Sequence, residues 1–213
     1  MGPSIRKRAA VATKATQQVK TGWRGDFEFV QLSDPQFGYR ATLSGLSEHA
    51  IKEYARLGIA LKTSPKVKGF AYESSRYEKA IERVNQINPD FMIVTGDMVT
   101  DSNDPAQAAE LWRITKQLNP NIRTYWVPGN HDVGNSPTPQ SLQRYRERFG
   151  SDYYAFDHKG CHFVVMNSAV CFDPGNVEQE WDDQLRFLRA TLEHAARNGS
   201  HRILVFTHHP LFL

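Results

Sequence analysis

The sequence is poor in several things that would point away from an ordinary folded enzyme or binding domain. It has only two cysteines, Cys161 and Cys171. Two thiols do not make a disulfide framework, so each reads as buried packing in a reducing compartment, and a cytoplasmic location is expected. No apolar run approaches the ~20 residues that a membrane span needs. The net charge is only +3, too small to argue for nucleic acid as a partner. No internal repeat is visible. Acidic residues are missing from Met1 to Gly25, which carries Arg6, Lys7, Arg8, Lys14, Lys20 and Arg24. That stretch also lacks the apolar core of a signal peptide, and Arg at position 6 argues against myristoylation of Gly2. Residues 1–22 therefore read as a basic, disordered tail, with organelle targeting or weak attraction to an acidic surface as alternatives.

What remains is ordinary in composition. A chain of 213 residues, 40% hydrophobic and 23% charged, describes a soluble globular domain long enough to bury a core. Strands are expected at Phe27–Leu32, Phe91–Val94 and Ile122–Val127, separated by helical patterns. An antiparallel pair, Tyr153–Phe156 and His162–Met166, turns at Lys159-Gly160, and a last strand covers Ile203–Phe206. One helix presents Tyr77, Ile81, Val84 and Ile87, capped by Ser74 or Ser75 and ended at Asn88-Pro89. Asp104-Pro105 and Thr138-Pro139 each open a helix, and Gly150 ends the second. A long helix within Asn176–Arg197 is expected to turn Leu185, Leu188 and Leu192 inward. Gly38–Gly69 reads as a long connection with one helical piece, about Glu48 to Leu61, forming either a wall of the site or a surface excursion. The fold class from these patterns is α/β.

Four polar runs follow four of the strands: Asp34-Pro35-Gln36, Gly96-Asp97, Gly129-Asn130-His131-Asp132 and His208-His209-Pro210. In open α/β sheets the edge beyond the strands' carboxyl ends is where ligands bind. Oxygen and imidazole-nitrogen ligands suit hard or borderline divalent metals. Each run alone is weak, since Gly-Asp or Asp-Pro after a strand is usually a turn. Their order and spacing make the signal.

That order resembles the signature of the calcineurin-like metallophosphoesterases, which runs Asp-x-His, Gly-Asp, Gly-Asn-His-Asp/Glu, His, then Gly-His-x-His. The similarity runs from about Gly22 to the last residue. Two departures stand out. Gln36 replaces the first His, as it does in one branch of the family, and the final Gly-His-x-His does not occur in these residues. With Leu213 following an uncapped apolar run, the expectation is a domain over 23–213 that is incomplete at its C-terminus.

The resemblance implies an α/β/β/α sandwich of mixed sheets and a centre of two divalent metal ions (Mn, Fe, Zn or Mg). Asp97 would bridge the two ions. Asp34 and Gln36 would hold the first, and Asn130 and His208 the second. His208 is preferred to His209 because the family's ligand lies two places before the Pro. An amide oxygen at Gln36 is a harder and weaker ligand than imidazole, which shifts preference toward Mn or Mg. His131 would be the proton donor or phosphate contact, and Asp132 would orient it or brace the loop.

The implied activity is hydrolysis of phosphate monoesters by attack of a metal-activated water. The substrate would be a small molecule or a phosphoprotein, the latter making the chain a Ser/Thr protein phosphatase. A catalytically inactive binding module with the same fold is the alternative, because each metal as written lacks one family ligand. A nuclease using the basic tail is a weaker third reading. Arg40 and Arg76, near the long connection, are phosphate-reaching candidates outside the site set. His49, His158, His194 and His201 read as solvated, His162 faces either way, and Asn167-Ser168, ending a strand near the same edge, either closes a turn, the preferred reading, or touches substrate.

Overall fold

The computed structural model describes residues 22–210. The acid-free stretch 1–21 and Leu211–Leu213, with the expectations placed on them, lie outside the described residues. Two three-stranded sheets are packed face to face. The first is parallel, with order β1 (Phe29–Leu32), β2 (Phe91–Thr95), β3 (Arg123–Val127). Between β1 and β2 come α1 (Tyr39–Thr42), α2 (Glu48–Arg56) and α3 (Ala71–Ile87), and α4 (Pro105–Thr115) links β2 to β3. After β3 the chain forms α5 (Asn130–Val133) and α6 (Pro139–Phe149). The second sheet is mixed: β4 (Tyr154–His158) is antiparallel to β5 (Cys161–Val165), which is parallel to β6 (Arg202–Phe206). Helices α7 (Ser168–Phe172) and α8 (Glu178–Arg197) lie between β5 and β6 in the chain.

Alternation along β2 explains the layering. Its side chains point to opposite faces with period two. Phe91 and Ile93 join Val127, Cys161, Phe163, Val165 and Phe206 between the sheets. Met92 and Val94 join Tyr77, Ile81, Val84, Leu111 and Ile114 under the helices. A strand buried on both faces must be apolar throughout, and all five β2 residues are buried. The β4–β5 turn uses positive φ at Lys159 (45°) and Gly160 (85°), as a two-residue hairpin requires. A Cβ on Gly160 would fall 1.6 Å from the Gly22 carbonyl oxygen, so the incoming chain crosses over the bare backbone there.

Several local expectations change. Helix α3 starts at Ala71, so Ser74 lies inside it and donates to Glu110 Oε1 at 2.5 Å instead of capping. Helix α2 stops at Arg56, just ahead of Gly58 at φ 80°, short of Leu61. On α8, Leu185 is 41% exposed and the fully buried position is Gln184. The Gln184 amide accepts from Asn167 N–H at 2.6 Å and donates to Asn167 O at 3.2 Å, which makes burial of a polar side chain tolerable. His158 belongs to β4, 3.0 Å from Asp90 and edge-on to Phe27 and Phe91, so it is not solvated on a turn. His162 is buried, held by Asp157 at 2.7 Å and Thr191 at 2.8 Å.

Candidate metal centre

The loops after β1 and β2 leave the sheet side by side. Asp34 N–H donates to Gly96 O (3.2 Å), Gln36 N–H to Asp97 O (2.9 Å) and Phe37 N–H to Met98 O (3.2 Å). This lacing continues the parallel pairing past the strand ends and forces unusual backbone. Asp34 (φ 53°), Gln36 (44°) and Asp97 (52°) all lie in the left-handed region. For a residue with a Cβ that conformation costs about 1 kcal/mol or more. Glycine would relieve the strain and remove the side chain, so these three positions keep their functional groups at a cost in stability.

The motif glycines do the opposite. A Cβ on Gly96 (φ 91°) would sit 2.3 Å from His208 Nδ1, and one on Gly129 would sit 2.2 Å from Asp97 Oδ1. Both positions need bare backbone because ligand-type side chains pack directly on it.

One atom each from Asp34, Asp97 and His208 fall within 4.8 Å of one another, the one such His/Cys/Asp/Glu trio among the described residues. His208 Nδ1 lies 3.0 Å from the Thr95 carbonyl, which can only accept, so Nδ1 carries the hydrogen. Nε2 then turns its lone pair toward Asn130 Oδ1 at 3.1 Å and Asp97 Oδ2 at 3.5 Å. The Asn130 amide is oriented by its Nδ2, which donates to Asn135 Oδ1 at 2.9 Å. Nitrogen and oxygen lone pairs therefore face one another, an arrangement that a cation between them satisfies. The donor set fits a divalent metal.

Electrostatics agree with that reading. Asp97 is 4% exposed, and burial raises its carboxyl above the usual range, with Asp34 pushing the same way. The His131 N–H on Oδ1 (2.9 Å) opposes the rise, and protonation of the His208 or His131 ring would oppose it further. A buried anion flanked by a second carboxylate is stabilised by positive charge. Ser33 Oγ donates to Asp34 Oδ2.

His131 Nδ1 donates to Thr100 O at 2.9 Å, which leaves Nε2 as its free nitrogen. Asp132 does not orient that ring. Its Oδ2 accepts from Gly129 N–H (2.9 Å), and its Oδ1 accepts from Met98 N–H (2.9 Å) and Val99 N–H (3.3 Å). It braces the Gly129 loop against the Asp97 loop. Burial pushes the Asp132 carboxyl up to about 8, with the Asp97 charge adding, while the three N–H donors pull the other way.

His209 turns away from the centre. Its N–H donates to Ser168 Oγ (3.0 Å), its Nδ1 lies 2.9 Å from the same hydroxyl, and burial lowers its pKa. Gln36 lines a cleft with Asp34, and its backbone oxygen accepts from Thr100 Oγ1 at 3.3 Å. The supporting roles of Thr95, Thr100 and Asn135 are not read from the sequence, where only Asn135 carries a signal, five residues past Asn130 in the same polar loop; Ser168, noted there as lying near this edge, holds His209.

The profile of the family described as calcineurin-like phosphoesterase matches residues 27–212. The chain is 28% identical to serine/threonine-protein phosphatase CPPED1 of Bos taurus, over 98% of this chain and 64% of that protein. It is 29% identical to the Rattus norvegicus protein of the same name, with the same coverage. The chain thus spans a little under two thirds of the length of these relatives. Among solved structures it is similar to a dimetal phosphatase from Danio rerio, at TM-score 0.53 and 16% identity over 86% of this chain and 70% of that one. It is also similar to purple acid phosphatase PPD1 of yellow lupin, at TM-score 0.51 and 10% identity over 83% and 29%. At those identities the structural likeness shows the fold alone.

Proposed function

The chain belongs to the calcineurin-like phosphoesterase family, and on that premise we propose that it is a dinuclear metal-dependent hydrolase of phosphate monoesters. The observation that carries the reading is the convergence of Asp34, Asp97 and Asn130, past the strand ends of the first sheet, with His208, past β6 of the second, the His208 Nε2 lone pair being aimed inward. The name of the relatives, serine/threonine-protein phosphatase, supports phosphoserine and phosphothreonine as the substrate class.

In this reading Asp34 and Gln36 would hold one cation, Asn130 and His208 would hold the other, and Asp97 would serve both. The hard oxygen of Gln36 favours Mn or Mg. Bound there, divalent cations supply Lewis-acid polarisation of phosphoryl oxygens and a lowered pKa for water.

The chain's own residues supply positioning and a proton. Asn135 and Thr95 fix the Asn130 amide and the His208 ring, so neither has to reorganise as charge develops. Thr100 holds His131 Nδ1–H, so Nε2 is the atom that carries the transferable proton. A water oxygen forms the new P–O bond and the ester P–O bond breaks. The departing oxygen takes the His131 Nε2 proton, and the proton lost by the water passes to solvent. Delivery of that proton contributes roughly 10²–10⁴-fold.

A reducing compartment, the cytoplasm, suits the two free cysteines, Cys161 and Cys171. No described helix is long and apolar enough to cross a membrane.

The test is hydrolysis of an aryl phosphate and of a phosphoserine peptide with added Mn, before and after chelation. Chelator-sensitive turnover of both is expected. Turnover that survives full chelation, or a well-folded metal-loaded protein that hydrolyses neither, would refute the reading.

A further inference from the structure

Beside the metal-type ligands lies a second cluster that the reaction above does not use. Arg40, on α1 just after the Asp34 loop, and Arg76, on α3, both stack on the ring of Tyr72. Their guanidinium carbons are 4.2 and 4.7 Å from its centroid. With Asp34, Gln36 and Glu73 they line a cleft of about 130 Å³. A larger hollow of about 440 Å³ shares Arg40 and runs on along the insertion to Lys66 and Val67. The two hollows have Tyr39 and Arg40 in common, so Arg40 stands between two of the proposed ligands and the 38–69 connection.

The charge arrangement is unusual in one respect. Two cations share one aromatic face system, which holds them by cation–π attraction despite their like charge. Arg113 and Arg146 each fork onto carboxylates. Among the described residues, by contrast, neither Arg40 nor Arg76 donates a side-chain hydrogen bond to the protein. The acids near them are Asp34 and Glu73. Glu73 is only 6% exposed, its Oε1 accepts from the Arg40 backbone N–H at 2.9 Å, and its buried Oε2 has no partner. That carboxylate anchors the Arg40 backbone and leaves the guanidinium donors uncommitted. Paired guanidinium forks match the oxygens of a carboxylate or phosphate.

We propose that Arg40, Tyr72 and Arg76 form a specificity subsite for a second anionic group carried by the leaving part of the substrate. The proposal rests on the phosphoesterase reading and names the substrate class within it: phosphate monoesters bearing a further carboxylate or phosphate. That group has two sources, an acidic side chain beside a phosphoserine or the second phosphate of a small bisphosphate.

The experiment uses two matched pairs. One is a phosphoserine peptide with Glu or with Gln as its flanking residues, and the other is a hexose bisphosphate against the hexose monophosphate. For each member, kcat/KM is measured with Mn, and Kd is measured by calorimetry on chelator-treated protein. The doubly anionic member of at least one pair is expected to be preferred by about tenfold in both readouts. The pair that shows it identifies the source. In Arg40→Gln/Arg76→Gln the preference should fall to about twofold or less, with Arg40→Lys/Arg76→Lys in between because charge is kept and the fork is lost. Arg186→Gln, on α8, should keep the wild-type ratio. The single variants Arg40→Gln and Arg76→Gln give the same reading in smaller steps should the double variant fail to fold. No preference in either pair, or one that survives both substitutions, overturns the subsite. Absence of turnover on every substrate would count against the phosphoesterase reading, and the calorimetric ratio would still judge the subsite.

Discussion

Phe91 and Asp97 are neighbours on one short stretch of chain, the first opening β2 and the second lying just past its end. Phe91 sits among Phe29, Tyr125, Phe156 and Phe163, with ring centroids 5.1 to 5.5 Å away. Its surroundings ask only for apolar bulk of the right shape. Asp97 is as deeply buried, yet it is left-handed, desolvated and beside a second carboxylate. The first end gains free energy from nondirectional burial, about 25 cal/mol per Å² of apolar surface. The other end loses some of that gain to strain and desolvation, and holds a fixed donor set in return. The difference teaches where stability and function separate: substitutions at one end should cost stability, and at the other they should cost chemistry.

The sharpest way to break this contrast is Asp97→Asn. Loss of the proposed bridging carboxylate should lower kcat/KM by about 10³-fold or more. Melting of the metal-free variant should stay at or above wild type, because a carboxylate whose ionised form burial disfavours has gone. A strong drop in Tm would show that the edge is structural after all.

Phe163→Ala is the mirror test. It removes a fully buried ring between the sheets and should cost about 3–5 kcal/mol in denaturant unfolding. Metal stoichiometry, measured well below the new Tm, should hold. Loss of metal from the folded variant would mean that the two ends are coupled.

His131→Gln should come next, with about 10²-fold or greater loss in turnover and little change in metal content. Rescue of turnover by a substrate with a good leaving group, such as an aryl phosphate over an alkyl phosphate, would sharpen its place as proton donor. Equal losses on both substrates would contradict that role. The smallest effect should be that of Asn135→Ala. Asn130 keeps its oxygen but loses the partner that orients it, so metal affinity should fall by about 10- to 100-fold. An unchanged affinity would show that the Asn130 amide needs no such hold.

Much of this was legible in the sequence because β2 and its neighbours announce themselves. Phe91–Val94 is a continuous apolar run followed at once by Gly-Asp, and the other strands end in polar loops of the same kind. Period and punctuation therefore locate both the sheet edge and the residues on it. Preference for His208 over His209 rested on family spacing alone. Its physical basis, Thr95 taking the Nδ1–H of one ring and Ser168 engaging the other, lies in contacts between residues far apart in the chain. Gln184 was passed over for Leu185 because a hydrophobic stripe gives a buried amide no credit, and its partner is the Asn167 backbone. His158 looked solvated because its partners, Asp90 and Phe27, are brought to it only by the sheet packing. Arg76 stacks on Tyr72 from one turn away on α3, whereas Arg40 reaches the same ring only through this kind of long-range closure.

The measurement that bears most directly on the whole account is metal content per folded chain for wild type and Asp97→Asn, taken with Mn-dependent turnover of an aryl phosphate on the same samples. The account predicts about two divalent ions per wild-type chain, chelator-sensitive turnover, and loss of both in a variant that still melts cooperatively. Wild-type protein that melts cooperatively, carries no stoichiometric metal after exposure to Mn and hydrolyses nothing would contradict it.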